Sequence, residues 1–384
     1  MPGVRTPRRR PPWTAHALGA TLLVLSLLAA SCAGEEPTGA PDVGASAGPA
    51  ATDPPTEDEP TAAATEEAAA EVEEASVRVG VTGTASDSQL YIAEAQGYFD
   101  EQGIDVEFVP FDSGARMIAP LGGGDLQVAA GSPSAGLYNA AARGIGMKIV
   151  ADKARVNPDQ PAFITFVVRS DLVESGEFSG PKDLEGLTFA HPGQGSSTEP
   201  SLNALVEEYG LDYNAIDHTF IGFGEQIAAF ENQAIDASLL LEPFLTRALE
   251  TGLVEEFVGL EEIYPEQQNA VLMYSEAFAE QRDVAERFMV AYLQGIDFYN
   301  GGVSEGRFGG ENGDAVVDIL LEYTNIDEET LREIRPPGMT GEPNLDSLRD
   351  DFDFFEANGM LEGEVDLDAV IDTSFVEAAR SQAG

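Results

Sequence analysis

Three short segments carry residue types that can grip a small solute, and each follows a strand-like run and opens a helix-like one. They are Thr82-Gly83-Thr84-Ala85-Ser86-Asp87-Ser88, Gly131-Ser132-Pro133-Ser134 and Pro192-Gly193-Gln194-Gly195-Ser196-Ser197-Thr198. Hydroxyls of Thr84, Ser86, Ser88, Ser132, Ser134, Ser196, Ser197 and Thr198 can donate to an oxyanion. A helix start adds backbone N–H groups and the positive end of its dipole, and glycine lets a ligand approach the backbone closely. Ser and Thr also cap helices wherever they occur, so each loop alone reads as well for capping as for binding. Their joint placement at strand-to-helix junctions favours binding. Ser113, after another strand-like run, and the Gln194 amide complete the polar set.

The loops contain neither Lys nor Arg; Arg116, Lys153 and Arg155 are nearby only in sequence. A buried anion would depend on N–H groups and hydroxyls. Asp87 or Glu242 would suit the amine of a neutral or zwitterionic ligand equally well. Phe111, Tyr138, Phe163 and Phe223 are able to wall an apolar or aromatic ligand, though core packing is the commoner fate of such residues. His191 and Ser197 invite a hydrolase reading, but spacing places no third, orienting acid beside them. Binding is expected, and catalysis is not.

Composition narrows the field. The chain carries 20 basic and 68 acidic groups, a net charge of -48. Four arginines lie in residues 1–31 without an acid, so the remainder holds 16 basic against 68 acidic groups, or -52. Nucleic acid is a poor partner for that field, because phosphate binding relies on Lys and Arg. The only cysteine is Cys32, and beyond it only His191 and His218 supply imidazole, so neither a metal nor another cofactor is expected.

The start of the chain reads as an address. Arg5, Arg8, Arg9 and Arg10 precede an apolar run from Ala17 to Ala30, and Ala29-Ala30-Ser31 lead into Cys32. A basic stretch, a short apolar run and small residues before a cut describe a secretory signal. The run falls short of the roughly 20 residues of a membrane span. A lone cysteine at that boundary resembles a bacterial lipoprotein box, although Leu28 sits four residues before it where the usual box has Leu three before. Residues 1–31 are therefore expected to be a signal peptide, with Cys32 acylated and the protein tethered to the outer face of the cell membrane. Residues 32–75, rich in Ala, Pro, Thr and acid and free of aromatic and basic groups, are expected to be a disordered tether.

From Ser76 strand and helix patterns alternate, which implies α/β architecture with parallel sheet built from right-handed crossovers. Strands are predicted at 77–81, 105–109, 126–130, 147–151, 164–168, 187–190, 219–221 and 237–241, with 270–274 as a further strand run. Helices are predicted between them, one capped by Ser132 with Pro133 in its first turn. From Glu276 onward helices dominate.

Gly97-Tyr98-Phe99-Asp100-Glu101-Gln102-Gly103-Ile104-Asp105-Val106-Glu107 resembles a segment of bacterial solute-binding proteins of the nitrate, sulfonate and taurine class, which includes binders of thiamine-pyrimidine precursors. In the same order follow Gly122-Gly123-Gly124-Asp125-Leu126-Gln127-Val128, Lys182-Asp183-Leu184-Glu185-Gly186-Leu187-Thr188, Ala234-Ile235-Asp236-Ala237 and Glu242-Pro243. Each piece is weak alone; the collinear set over nearly all of residues 76–380 carries the resemblance. Read residue by residue, these motifs are turns, caps and buried aromatics, and so scaffold.

The resemblance implies a type II periplasmic-binding-protein-like fold: two α/β lobes joined by two crossing strands, with the ligand between them. On that template lobe I is 76–168 plus 269–384 and lobe II is 169–268. It implies a monomeric, lipid-anchored substrate-binding component that delivers a small polar solute to ABC permease subunits. An exported sensory or scavenging receptor with no transporter is the alternative.

Overall fold

The computed structural model describes residues 73–383. The signal-like segment, Cys32 and all but the last few residues of the expected tether lie outside them. Ten strands form two five-stranded sheets, ordered β2-β1-β3-β10-β4 and β7-β6-β8-β5-β9. The first contains β1 (Ala75–Val81), β2 (Ile104–Pro110), β3 (Val128–Gly131), β4 (Met147–Arg155) and β10 (Gln268–Ser275). The second contains β5 (Ile164–Arg169), β6 (Thr188–His191), β7 (Asp217–Phe220), β8 (Ala237–Leu241) and β9 (Val254–Gly259).

The α/β class and the two lobes expected from the resemblance are present, with three corrections. The first strand starts at Ala75, which pairs with Ile104, one residue before the expected start of the folded part. Each sheet is mixed: β10 runs antiparallel to β3 and β4, and β5 antiparallel to β8 and β9. These are the strands that arrive from the other lobe, so they enter their sheets from the opposite end. For the same reason Ile164–Arg169, expected in lobe I, belongs to the sheet of lobe II. The sheets place lobe I at 75–155 plus 268–383 and lobe II at 164–259, with 156–163 and 260–267 crossing between.

Helices cover both faces of each sheet because the central strands are apolar on both sides. In lobe I, Val77, Val79, Leu272 and Tyr274 pack against Phe288, Tyr292 and Tyr299 of helix Arg282–Gly302. On the other face Ala129, Met273 and Tyr138 meet Phe352 and Phe355 of helix Leu345–Ala357. In lobe II, Phe166, Phe189 and Leu239 pack on Leu202 and Leu205, while Leu240 faces Phe230 and Leu245. Each such side chain contributes about 1.5–3 kcal/mol on burial.

The crossings are held by buried polar contacts. Asp152 accepts from the Gln268 amide at 2.7 Å and from Thr340 N at 2.7 Å. Asp351 accepts from the Tyr264 hydroxyl at 3.0 Å. Burial pushes both carboxyls up from their ordinary value, Asp351 strongly. Among the described residues, no helix is long and apolar enough to cross a membrane, and no cluster of three or more His, Cys, Asp or Glu could hold a metal ion.

Candidate functional site

Strands β1, β2 and β3 run parallel, so their following loops share one edge of lobe I; β6, β7 and β8 do the same for lobe II. The two edges meet. Ser132 donates to Ser197 Oγ at 3.1 Å, and Ala135 N donates to the Gly195 carbonyl at 2.9 Å. Gly195 sits at φ +70°, and a Cβ there would lie 2.7 Å from that of Ala135, so this seam admits only glycine. Gly114 packs as tightly, since an added Cβ would come within 2.6 Å of Ser132 N. That contact draws the loop with Ser113 onto the loop with Ser132.

In lobe I the organising element is a buried ion pair. Lys153 Nζ lies 2.8 Å from Asp87 Oδ1, with both side chains at 2% exposure or less. Asp87 Oδ2 accepts from Thr82 N at 3.0 Å, from Thr82 Oγ1 at 3.0 Å and from Thr84 N at 3.2 Å. A chain of hydroxyls closes the circuit: Lys153 Nζ donates to Ser86 Oγ at 2.8 Å, Ser86 meets Thr84 at 2.9 Å, and Thr84 meets Thr82 at 3.1 Å.

Lobe II carries a second chain. His191 Nδ1 lies 2.9 Å from Thr198 Oγ1, and His191 Nε2 lies 3.1 Å from His218 Nδ1. His218 Nε2 reaches the Tyr213 carbonyl at 3.0 Å, and Ser196 Oγ sits 2.9 Å from Thr198 Oγ1. Burial first, and the neighbouring His218 second, push the His191 imidazole down to about 3, so the ring is neutral. Glu199, at 2% exposure, accepts from Gly195 N and is pushed up by burial.

Not every expected site residue reaches the interlobe edge with a free group. Ser88 donates to the Ala85 carbonyl inside its helix, and Ser134 accepts from Leu137 N as the N-cap of helix Ala135–Ala142. The cap is therefore Ser134 and not Ser132, which is released for the seam. Asp87 was expected to offer a carboxylate to a ligand amine, but Lys153 and the loop backbone take both its oxygens.

Glu242 is 2% exposed, accepts from Thr246 N and Oγ1 at 3.1 and 3.0 Å, and also accepts from Arg335 N at 3.2 Å. It is a strut between lobes, pushed up by burial. Ser197 is spent between Ser132 and Asn269. Thr84, Ser86, Ser132 and Ser196 stay half-buried, as does Ser113, and Gln194 is exposed at the mouth. Tyr138 and Phe163 are core, whereas Phe111 and Phe223 are half-buried, the latter stacked on Phe244 at 5.8 Å. Sequence reading missed the roles of Lys153, Glu199 and His218. Gly302-Val303-Ser304-Glu305-Gly306 matches the G-x-S-x-G pattern, but it follows a helix and turns back through a Ser304–Arg307 bridge, so it is no strand-to-helix elbow.

The family model described as NMT1/THI5 like matches residues 85–300, more than half of the chain. The chain belongs to the NMT1/THI5-like family. A similar relative is the formylaminopyrimidine-binding protein of Halalkalibacterium halodurans, 25% identical, over 72% of this chain and 82% of the relative. The fold is that of the alkanesulfonate-binding protein of Xanthomonas axonopodis pv. citri, solved with MOPS, at TM-score 0.64 and 17% identity, covering 78% of this chain and 99% of that one. It is also that of the nitrate-binding protein of Synechocystis PCC 6803, at TM-score 0.64 and 13% identity, covering 80% and 89%. The matched span of the NMT1/THI5-like model takes in Ser86, Asp87 and Lys153, the loops at Ser132 and Ser196 and the His191–His218 chain, while Thr82 and Thr84 precede it.

Proposed function

We propose that this NMT1/THI5-like chain is the extracytoplasmic substrate-binding component of an ABC importer, a binder and not an enzyme, that captures one small polar solute between its lobes. The observation that carries the reading is the meeting of hydroxyl-bearing loops from both lobes, where Ser132 donates to Ser197 and Ala135 N to the Gly195 carbonyl, with Ser132 and Ser196 left half-buried. The names of the relative and of the structural neighbours support it, since each denotes a binder of a small solute. His191 and Ser197 do not form a nucleophile–base pair: the imidazole contacts Thr198 and His218, and the Ser197 hydroxyl is held by Ser132 and Asn269.

A ligand bound only to the native state adds RT ln(1 + [L]/Kd), about 2.7 kcal/mol at a hundredfold excess over Kd. A thermal-shift panel of formylaminopyrimidine, alkanesulfonates, taurine and nitrate is therefore expected to give one class that raises the melting temperature by several degrees. Turnover of that solute during incubation would replace the binder by an enzyme.

The export signal and Cys32 support a lipid anchor on the outer face of the membrane, from which a monomer delivers its solute to permease subunits. Replacing Cys32→Ala is expected to release the protein into the soluble fraction. A variant that stays with the membrane contradicts the anchor.

A further inference from the structure

We propose that Arg335 sets the affinity of solute capture without touching the solute: it latches lobe II onto lobe I through Glu256, and so fixes how much of the protein stands in the closed arrangement that binds. This rests on the binding reading above and adds a positioning residue that tunes it.

Arg335 belongs to a strap, residues 325–341, that is fastened to lobe I on both sides of it. Upstream, Leu331 and Ile334 are fully buried in the lobe I core. Downstream, the Tyr299 hydroxyl donates to the Pro337 carbonyl at 3.0 Å, and Gly338 and Arg155 exchange backbone hydrogen bonds at 3.0 and 2.9 Å. Pro336 and Pro337 fix φ between the two anchors. The backbone that carries Arg335 therefore moves with lobe I.

Its side chain reaches the other way. Among the described residues, the hydrogen bonds of the Arg335 guanidinium all end in lobe II. Nη1 donates to Glu256 Oε2 at 2.8 Å and Nη2 to Glu256 Oε1 at 2.6 Å, while Nη1 also donates to Thr165 Oγ1 at 3.2 Å. The Arg335 N–H donates to Glu242 Oε1 at 3.2 Å. At the far end of the strap the arrangement is reversed. There Arg247 of lobe II donates to the Asn325 carbonyl at 3.3 Å and lies 3.7 Å from Asp327 Oδ2.

A lone ion pair at a protein surface contributes little. This one differs, because the guanidinium meets its carboxylate as a two-pronged fork, the stronger and more directional geometry. The two side chains are only 20% and 30% exposed. Parting the lobes here would also take the Arg335 N–H from Glu242, which is 2% exposed. The contacts of the seam, Ser132 with Ser197 and Ala135 N with the Gly195 carbonyl, carry no charge. Arg335–Glu256 is thus the one bidentate ion pair between the lobes among the described residues. The apparent dissociation constant is the intrinsic one divided by the fraction of protein that is competent to bind. Loss of the latch therefore scales every solute by the same factor, whereas a residue that lines the site discriminates between solutes.

The test uses the soluble chain from Ala33 onward, which contains no cysteine. Asp112→Cys and Glu225→Cys, exposed positions after β2 and β7 on the facing edges of the two lobes, carry spin labels. Their separation is read by pulsed electron resonance without added solute. Arg335→Gln and Glu256→Gln should each shift the distribution to longer distances, and the double variant should open no further than either single one. Calorimetry with formylaminopyrimidine, methanesulfonate and nitrate supplies the second arm. Every probe that binds the parent should weaken about tenfold in each single variant, by a common factor. Unchanged distances in both single variants overturn the proposal, as do additive shifts in the double variant, which would assign the effect to the strap's own folding. A probe that binds parent and variants alike overturns it while leaving interlobe capture intact. The expected distances with no probe binding the parent would uphold the latch and count against the solute reading itself.

Discussion

Asp87→Asn should destabilise the protein by about 3–5 kcal/mol, because it strands the Lys153 ammonium in a site where it is 2% exposed. Burying a charge without a partner is far costlier than burying a matched pair, and Lys153 has no second carboxylate among its described contacts at 2.8 Å or less. Asparagine keeps an oxygen for Thr82 N and Thr84 N, so the loss isolates the ion pair from the loop's own hydrogen bonds. The second variant makes the argument specific: Asp87→Asn with Lys153→Met removes both charges and should regain most of the stability. By the usual size scaling the single variant melts about 6 °C or more below the parent. Equal melting temperatures for the parent and the single variant would mean that Lys153 finds water or another anion in solution.

The second large effect is on acid stability. The His191 ring has its folded value pushed down to about 3, well below the ordinary imidazole. Below the ordinary value of about 6.5 the unfolded chain takes up a proton that the folded chain refuses, so stability is present above that pH and is lost as pH falls. The slope is about 1.4 kcal/mol per pH unit. Asp152, Glu199, Glu242 and Asp351, raised by burial, act in the opposite sense, losing stability as pH rises through their folded values. They are common to parent and variant and cancel in the difference. Relative to His191→Gln, the parent should therefore lose about 1.4 kcal/mol per unit between pH 6 and pH 4, read by urea unfolding at each pH. Parallel curves for the two proteins would show that the ring takes up a proton without unfolding.

Much of the fold was legible because alternation of strand and helix patterns is a local property. The strands at Val77, Asp105, Ile164 and Ala237 and the helices of the C-terminal third follow from period and punctuation alone. Strand β9 escaped because Val254-Glu255-Glu256-Phe257-Val258-Gly259 lies at the sheet edge, where its two glutamates break the apolar run. Nothing local distinguishes a crossing strand from its neighbours, so the antiparallel entry of β5 and β10 and the lobe to which Ile164–Arg169 belongs were illegible.

The loops of the candidate site were found for the same reason the strands were. Their chemistry was not. Asp87 looked available because its partner Lys153 lies on another strand, and Ser197 and Ser132 looked like helix caps because their contact crosses between lobes. His218 was set aside as one of too few histidines for a metal, whereas it links the buried His191 ring to the Tyr213 carbonyl.

The most direct test of the account is amide exchange with and without a saturating pyrimidine or other hit from the thermal-shift panel. The described surface offers a rival to the interlobe seam, a groove of about 560 Å³ lined by Arg155, Arg349 and Arg380 with Glu266 and Glu342. Binding between the lobes predicts added protection in residues 82–88 and 193–198 together, one stretch from each lobe, with little change around Arg349 and Arg380. Protection confined to the arginine groove, or to one lobe alone, would contradict it.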